Sequence, residues 1–373
     1  MINTYTSYQL ITRDIDKSLS RIQKQPVVDR ETKYFLDNIT KVKSIDDFVN
    51  NDRLFKYAMK AFGLEDMAYA KAFMKKALKE GVSDPDSFAN KLSDKRYAEF
   101  VSAFNFADHG SEATVYNKAQ QLAVENFKLQ AQIKGIDPES QAVKDATDYY
   151  LANIVNVKSI DDLMADDRLF SYAATAFGMD ATVDTKDFLR KVLEGGVRDP
   201  DSFANKQSDS KYAAFASAYN FEAYGENATT YNPAQVPTTE KYYRQTLEED
   251  AGQQNEGVRL ALYFQRKASG ITSFYQILGD RALAQVVRTA LGLPDSFAQA
   301  DIDKQVQYFK QKLKIEDFSN PKALDKFMTR FTAMWEIDNP SSPTQASLSI
   351  LFSQPPEYGV STDLIMAIQK MRR

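Results

Sequence analysis

The sequence has no cysteine and a single histidine among its 373 residues. The first absence excludes disulfide bonds and thiolate metal sites, and the second excludes a metal site built from several imidazoles. No apolar run approaches the roughly 18 residues of a membrane-spanning helix, so we expect no membrane span. The N-terminal segment also lacks the basic start and continuous apolar core of a secretory signal peptide. We therefore expect a soluble protein in the cytoplasm, or one exported without a cleavable signal.

An excess of charge of one sign is missing as well. Lysine and arginine number 47 against 51 aspartates and glutamates, which gives a formal net charge of −4. This balance provides no general attraction for nucleic acid, so we expect no nucleic-acid partner. Phosphate-binding, dinucleotide-binding, nucleophile-elbow and zinc-protease motifs are absent too. We predict no enzymatic activity, no cofactor and no metal.

The strongest positive feature is an internal repeat. The stretch GVSDPDSFANK at 81–91 returns as GVRDPDSFANK at 196–206, an offset of 115 residues. Shorter segments such as SIDD, DRLF and AFG recur at the same offset, which is typical of repeat architectures. The repeat also helps to separate scaffold residues from functional ones, because scaffold residues recur in each copy whereas a catalytic residue need occur only once.

Apolar residues recur with the helical period along the whole chain, and we find no convincing strand. The fold class is predicted to be all-α, with tandem multi-helix repeats: two close copies, 31–117 and 146–232, and one divergent copy. Ser44 and Asp52 are predicted N-caps, and Gly63 a C-terminal cap. Phe88 is the predicted core anchor of the repeated stretch, with Phe203 as its buried equivalent.

The predicted domains are an amphipathic N-terminal arm at 1–30, repeats at 31–136 and 137–237, a divergent repeat at 238–345 and a tail helix at 346–373. In the divergent repeat, the segment 280–283 corresponds to DRLF, and 290–292 corresponds to AFG with one inserted residue. Aromatic residues at 327, 331 and 335 are placed where 212, 215 and 219 stand.

Both ends of the chain carry helical apolar stripes, formed by Tyr8, Ile11, Ile15, Leu19 and Ile22 and by Leu364, Ile365, Ile368 and Met371. The arm is expected to lie as a helix on the first repeat, with a free coiled-coil arm as the alternative. More generally, we favour docking of the stripes within the chain over assembly between subunits.

Few side chains suggest chemistry. His109 has Tyr224 as its counterpart and is interpreted as scaffold. The acidic cluster of Asp84, Asp86 and Asp94 recurs at 199, 201 and 209, but it lacks the glycine and glutamate spacing of an EF-hand loop. Helix capping accounts for these carboxylates better than calcium does.

The segment 255–267 has no close copy in the first two repeats. Arg259 and Arg266 are seven residues apart and share a helical face, which Lys267 extends. These three residues are the candidate docking site for an acidic protein partner. The alternative is a solvated surface, or one paired with Glu256.

Three segments, NEGVRLALYFQRKA, YQILGDRALAQVVRTALGLP and LDKFMTRFTAMW, closely resemble an uncharacterised family of α-proteobacterial proteins with a domain of unknown function. The segments VKSIDDF, DRLF, AFG and DPDSFAN resemble the repeats of that family as well. Its members are often encoded among flagellar genes, and the resemblance implies no activity, cofactor or catalytic residue.

We therefore expect a non-catalytic interaction or structural protein associated with the flagellum, as an accessory factor or an axial component, with flagellar proteins as candidate partners. The alternative is a peptide or small-molecule binding module in a groove between repeats. An enzyme with its site between repeats is the least favoured hypothesis. The sequence leaves the oligomeric state open.

Overall fold

The computed structural model describes residues 3–180 and 182–339, which contain helices and no strand. They form a terminal unit of residues 3–23 and 246–339, and a central unit of residues 24–245. The predicted all-α class with tandem repeats is confirmed. In the described ranges, no helix is long and apolar enough to cross a membrane. The predicted tail helix, with its stripe from Leu364 to Met371, lies outside these ranges.

Twenty-two α-helices make up the described chain. The terminal unit begins with α1 (Thr4–Thr12) and α2 (Ile15–Gln23). The first part of the central unit contains α3 (Pro26–Ile39), α4 (Ile45–Asn50), α5 (Asp52–Ala61), α6 (Lys71–Glu80), α7 (Phe88–Lys91), α8 (Arg96–Ala103), α9 (Phe106–His109) and α10 (Ala123–Ile133). The second part of the central unit contains α11 (Gln141–Ile154), α12 (Ile160–Ala165), α13 (Asp167–Ala176), α14 (Lys186–Glu194), α15 (Lys211–Ala218) and α16 (Phe221–Tyr224). Helix α17 (Val236–Gln254) follows and continues past residue 245, the last residue of the central unit. The terminal unit continues with α18 (Glu256–Ala268), α19 (Phe274–Gly279), α20 (Arg281–Leu291), α21 (Ile302–Lys312) and α22 (Pro321–Asp338).

The two close copies share their helices. Six helices of the first copy, α3 to α6, α8 and α9, begin 115 residues before their counterparts in the second. The repeated stretch is a turn that one side chain holds closed. The amide of Asn90 donates to the carbonyls of Val82 and Asp84, at 2.9 and 2.8 Å. Asn205 makes the same two bonds in the second copy. These contacts explain why the stretch is preserved between the copies.

The phenylalanine of this stretch is not the buried anchor. Phe203 is 37% exposed and Phe88 is half-buried, whereas Ala89 and Ala204 are fully buried. The closed turn directs the small residue inward and leaves the ring to pack edge-on at the rim of the core, where Phe88 contacts Phe73. The prediction that Phe88 and Phe203 are core anchors is therefore wrong.

The helix caps follow the sequence with one shift. The Ser44 hydroxyl accepts from the amide of Asp47 at 3.0 Å, as predicted. The N-cap of α5 is Asn51 and not Asp52, and Asp52 forms an ion pair with Lys71 at 2.6 Å. Either residue type caps well, so two neighbouring candidates could not be separated by chemistry alone.

The N-cap of this helix also receives a tyrosine hydroxyl in all three repeats, always from 17 residues upstream. Tyr34 donates to Asn51 at 3.2 Å, Tyr149 to Asp166 at 2.6 Å and Tyr263 to Asp280 at 2.5 Å. Asp280 is therefore the structural equivalent of Asn51. This register removes the insertion that the sequence comparison placed before Gly292, because Asn51 to Gly63 and Asp280 to Gly292 are equally long.

Helices α10 and α17 are exchanged between the copies of the central unit. Helix α10 follows the first copy but packs on α13 of the second, where Phe127 stacks on Tyr172 with ring centroids 3.8 Å apart. Helix α17 follows the second copy, and its Tyr242 stacks on Tyr57 of the first at 3.9 Å. Each copy therefore completes its core with the helix that follows the other.

The segments that lead into these helices cross by reciprocal hydrogen bonds. The amide of Asn117 donates to the carbonyl of Tyr231, and the amide of Asn232 donates to the carbonyl of Tyr116, both at 2.7 Å. Gln120 and Gln235 add a second pair of bonds, to the carbonyls of residues 229 and 114. Matched contacts of this kind are those of a two-fold symmetric dimer, formed here within one chain.

In the terminal unit, α1 packs against α18 and α22. Tyr8 and Ile11 are buried in this contact, at 3% and 1% exposure. The arm thus packs on the divergent repeat, and not on the first repeat as the sequence had led us to expect. Periodicity identified the buried face of the arm but carried no information about what covers it.

Replacing Asn117 or Asn232 by aspartate should lower stability by about 1–3 kcal/mol, because a partly buried carbonyl loses its donor and faces a carboxylate. The aspartate keeps the oxygen that accepts from the amide of Gln120 or Ala234. Asn51→Asp is the matched control, since the second copy already has Asp166 at that position. Urea unfolding measures the difference, and an equal loss in the control would contradict the crossing contact as the cause.

Ile11→Ala should destabilise the protein by about 2–5 kcal/mol if α1 is part of the terminal core. Leu10→Ala, at a neighbouring position that is 43% exposed, should change stability little. Thermal unfolding of the two variants decides the point. Equal melting temperatures would show that the arm does not contribute to the folded core.

Candidate functional site

A cleft of 380 Å³ lies in the central unit, where the crossing segments meet α8, α9, α15 and α16. Most of its lining residues form pairs at the 115-residue offset, so the cleft sits on the pseudo-two-fold axis between the copies. Five of the seven pairs are identical, among them Tyr116 with Tyr231 and Ser102 with Ser217. The remaining two pairs are His109 with Tyr224 and Lys118 with Pro233.

Stacked rings form the two sides of the cleft. The His109 ring lies on Tyr116 with centroids 3.6 Å apart and planes 9° apart. Tyr224 lies on Tyr231 in the same way, at 3.5 Å and 13°. Gly110, which follows α9, has a φ of 50° that favours glycine, and it turns the chain so that the two rings can meet.

Burial sets the protonation of these rings. It lowers the pKa of His109, the nearby Lys118 charge lowers that pKa further, and Asp108 and Glu125 oppose the shift. Burial also raises the pKa of Tyr116 to about 12 and that of Tyr231 further still. At neutral pH, His109, Tyr116 and Tyr231 are therefore uncharged.

Lys118 supplies the positive charge of the cleft. It follows the cap residue Asn117 and begins the π-helical turn Lys118–Leu122 that leads into α10, as Pro233 follows Asn232 in the other copy. Its Nζ donates to the Ser217 hydroxyl at 3.0 Å, while the side chain stays exposed. Among the described residues that line the cleft, none is a carboxylate. The cleft can therefore offer a charged hydrogen-bond donor beside aromatic rings and uncharged polar side chains.

Sequence reasoning placed His109 in the scaffold and did not single out Lys118. The structure brings both into the lining of the same cleft. A signal was available in the sequence, because both positions differ between otherwise similar copies. It could be used only once the fold had shown which differing positions lie together.

The basic face predicted at α18 is held by carboxylates of the terminal unit. Arg259 donates to Glu256 at 2.8 Å, which agrees with the paired-surface alternative. Arg266 makes two bonds of 2.7 Å to Glu248, whose side chain is nearly fully buried. Lys267 is half-buried. The docking role of these three residues stays a prediction.

The acidic clusters serve local structure. Asp84 accepts from the amide of Asp86, and Asp199 from that of Asp201, both at 2.8 Å. Asp94 holds the guanidinium of Arg96. Asp84 therefore forms a turn and does not cap α7, which begins at Phe88. In the part of the chain that the structure describes, no three histidine, aspartate or glutamate side chains are grouped to hold a metal ion.

Comparison with known proteins finds a family match. The model of a family described as "Protein of unknown function (DUF1217)" matches residues 61–181 and 176–324, in agreement with the repeat. A crystal structure of a protein from Agrobacterium tumefaciens is 35% identical, with a TM-score of 0.55, and the match covers 90% of this chain and 94% of that one. No curated protein matches.

Addition of calcium or EDTA should leave the melting temperature unchanged, because the clustered carboxylates already accept from backbone amides and guanidinium groups. Differential scanning fluorimetry is sufficient to measure this. A calcium-dependent rise of several degrees would mean that the folded state binds the ion and would overturn the structural role of these carboxylates.

Arg266→Met should cost about 3–5 kcal/mol, because it removes both guanidinium bonds to the buried Glu248. Arg259→Met removes a more exposed ion pair and should cost about 1 kcal/mol or less. Chemical denaturation of the two variants tests the contrast. If neither variant loses stability, the arginines are not needed for the fold, and the docking prediction gains support.

Proposed function

We propose that this chain, which belongs to the DUF1217 family of proteins of unknown function, is a non-catalytic interaction protein associated with the flagellum. The flagellar association rests on the resemblance to proteins encoded among flagellar genes. Most of the distinctive polar side chains recur in each copy, where they cap helices or close turns. Their structural use favours an interaction role over a catalytic one. We propose that the protein acts in the cytoplasm or at the flagellum.

The observation that carries the interaction role is an exposed apolar patch at the end of α10. Leu129, Ile133 and Ile136 are 52%, 68% and 48% exposed. Leu129 and Ile133 are one helical turn apart, and Ile136 follows the glycine turn that ends the helix. Exposed apolar side chains that cluster on a surface mark sites of contact with other proteins.

The exchanged partner helix uses the same face for packing. The positions of α17 equivalent to Ile133 and Ile136 are Glu248 and Ala251, which are 1% and 7% exposed. Both belong to the terminal unit, where that part of α17 is packed. The α10 patch is therefore the exposed counterpart of a face that is buried on α17, and we assign it to a protein partner from the flagellum.

A pull-down from motile cells tests this assignment. The unmodified chain should capture identified flagellar components, and Leu129→Ser/Ile133→Ser should lose them without a change in melting temperature. Tyr69→Ser is the control, because Tyr69 is 80% exposed and lies elsewhere on the central unit. Capture that survives the double substitution would exclude the patch. Capture of no flagellar component by the unmodified chain would exclude the flagellar association.

A second candidate function is a small-molecule binding module in the groove between the repeats. The cleft on the pseudo-two-fold axis favours it, since its 380 Å³ falls within the size range of ligand pockets. Its lining combines aromatic rings with uncharged polar side chains and one lysine, as in many ligand sites. The two functions are compatible, because the cleft and the α10 patch are formed by different residues.

A further inference from the structure

We propose that the cleft binds a small organic carboxylate, with the carboxylate at Lys118 and the apolar body between the two stacked ring pairs. The proposal deepens the second candidate function and rests on it. It names the chemical class of the ligand and the residues that select it.

The first argument is the break in symmetry. Residues needed only to join the copies should be the same on both sides of the axis, and five of the seven lining pairs are identical. The two departures both replace a group of the second copy, Tyr224 or Pro233, by a basic residue type in the first. Both residues line the same cleft. The departure at Lys118 thus gives the cleft a positive charge that has no counterpart in the second copy.

The second argument is charge. Among the described residues that line the cleft with Lys118, none is a carboxylate, and the Lys118 Nζ donates to a neutral hydroxyl, that of Ser217. A lysine in a concave site with an otherwise uncharged lining attracts an anionic group and forms a charge-assisted hydrogen bond with it. A carboxylate satisfies this donor, and the serine hydroxyl can donate to the same group.

The third argument is shape. The ring pairs His109–Tyr116 and Tyr224–Tyr231 both line the cleft, and the two rings of each pair are stacked nearly parallel. Apolar or aromatic ligand bodies pack well against such rings. The volume of 380 Å³ is at the low end of the range for ligand pockets, which favours a small molecule.

Three matched probes separate the features of the ligand: 3-phenylpropanoate, 3-phenylpropanol and propanoate. Titration of the full-length chain is followed by NMR chemical shifts. We expect 3-phenylpropanoate to bind in the low millimolar range, as its size allows. Its shifts should be confined to residues that line the cleft. The alcohol and the short acid should each bind at least about tenfold more weakly, since a charged hydrogen bond or a buried ring is lost.

The chain itself supplies the design of the variant. His109→Tyr/Lys118→Pro copies the second side of the cleft onto the first, and each new residue already occupies the equivalent position in the fold. This symmetrised variant should fold with an unchanged spectrum away from the cleft and lose the preference for the acid. Lys118→Gln is the second variant if the first is unstable. Lys206→Gln, an exposed lysine outside the cleft, is the control for general charge effects.

The outcomes are distinct. Preference for the acid that disappears in both cleft variants and persists in the control supports the proposal. Equal binding of acid and alcohol in the cleft would refute the carboxylate assignment and leave the cleft as a binding site. Absence of binding by all three probes, or shifts elsewhere on the chain, would overturn both the proposal and the binding-module function.

Discussion

The exchange of α10 and α17 is the contact on which the central unit depends. Each copy leaves one side of its third helix, α5 or α13, to be covered by a helix that follows the other copy. Neither copy can complete its core alone, because the covering aromatic residue, Tyr242 or Phe127, comes from elsewhere in the chain. The buried apolar area therefore stabilises the pair as one folding unit, and the crossing segments have to lie side by side.

The cleft follows from that crossing. When two segments exchange hydrogen bonds through Asn117 and Asn232, the residues just before and after them face one another across the axis. A duplicated sequence would make such a site symmetric, and a symmetric site has no preferred direction for a ligand. Divergence at His109 and Lys118 makes the cleft asymmetric without disturbing the contacts that hold the copies together. Duplication thus provides the scaffold, and these two differences are the basis of the ligand site that we propose.

Sequence predicts what local chemistry decides and fails where the partner is distant. The Ser44 cap and the Gly63 turn follow from the residues themselves, and both are found in the structure. The helical period placed Ile11 on a buried face but could not say that α18 and α22 cover it. The same limit hid the exchange, since an apolar stripe on α10 fits either copy equally well. The cleft, which exists only because of the exchange, was therefore beyond reach except as a general groove between repeats.

The divergent repeat shows what a copy does without a partner to exchange with. Its α22 packs on its own α20, and α1 packs against α18 and α22 in the same unit. One contact is kept in all three repeats: the glycine that follows α5, α13 or α20 faces the covering helix. A side-chain atom of Gln245, Gln130 or Met334 would lie 3.3–3.5 Å from a Cβ at Gly63, Gly178 or Gly292. The close approach of a covering helix to this glycine is thus common to all three repeats. The part of the chain that supplies the covering helix differs from one repeat to the next.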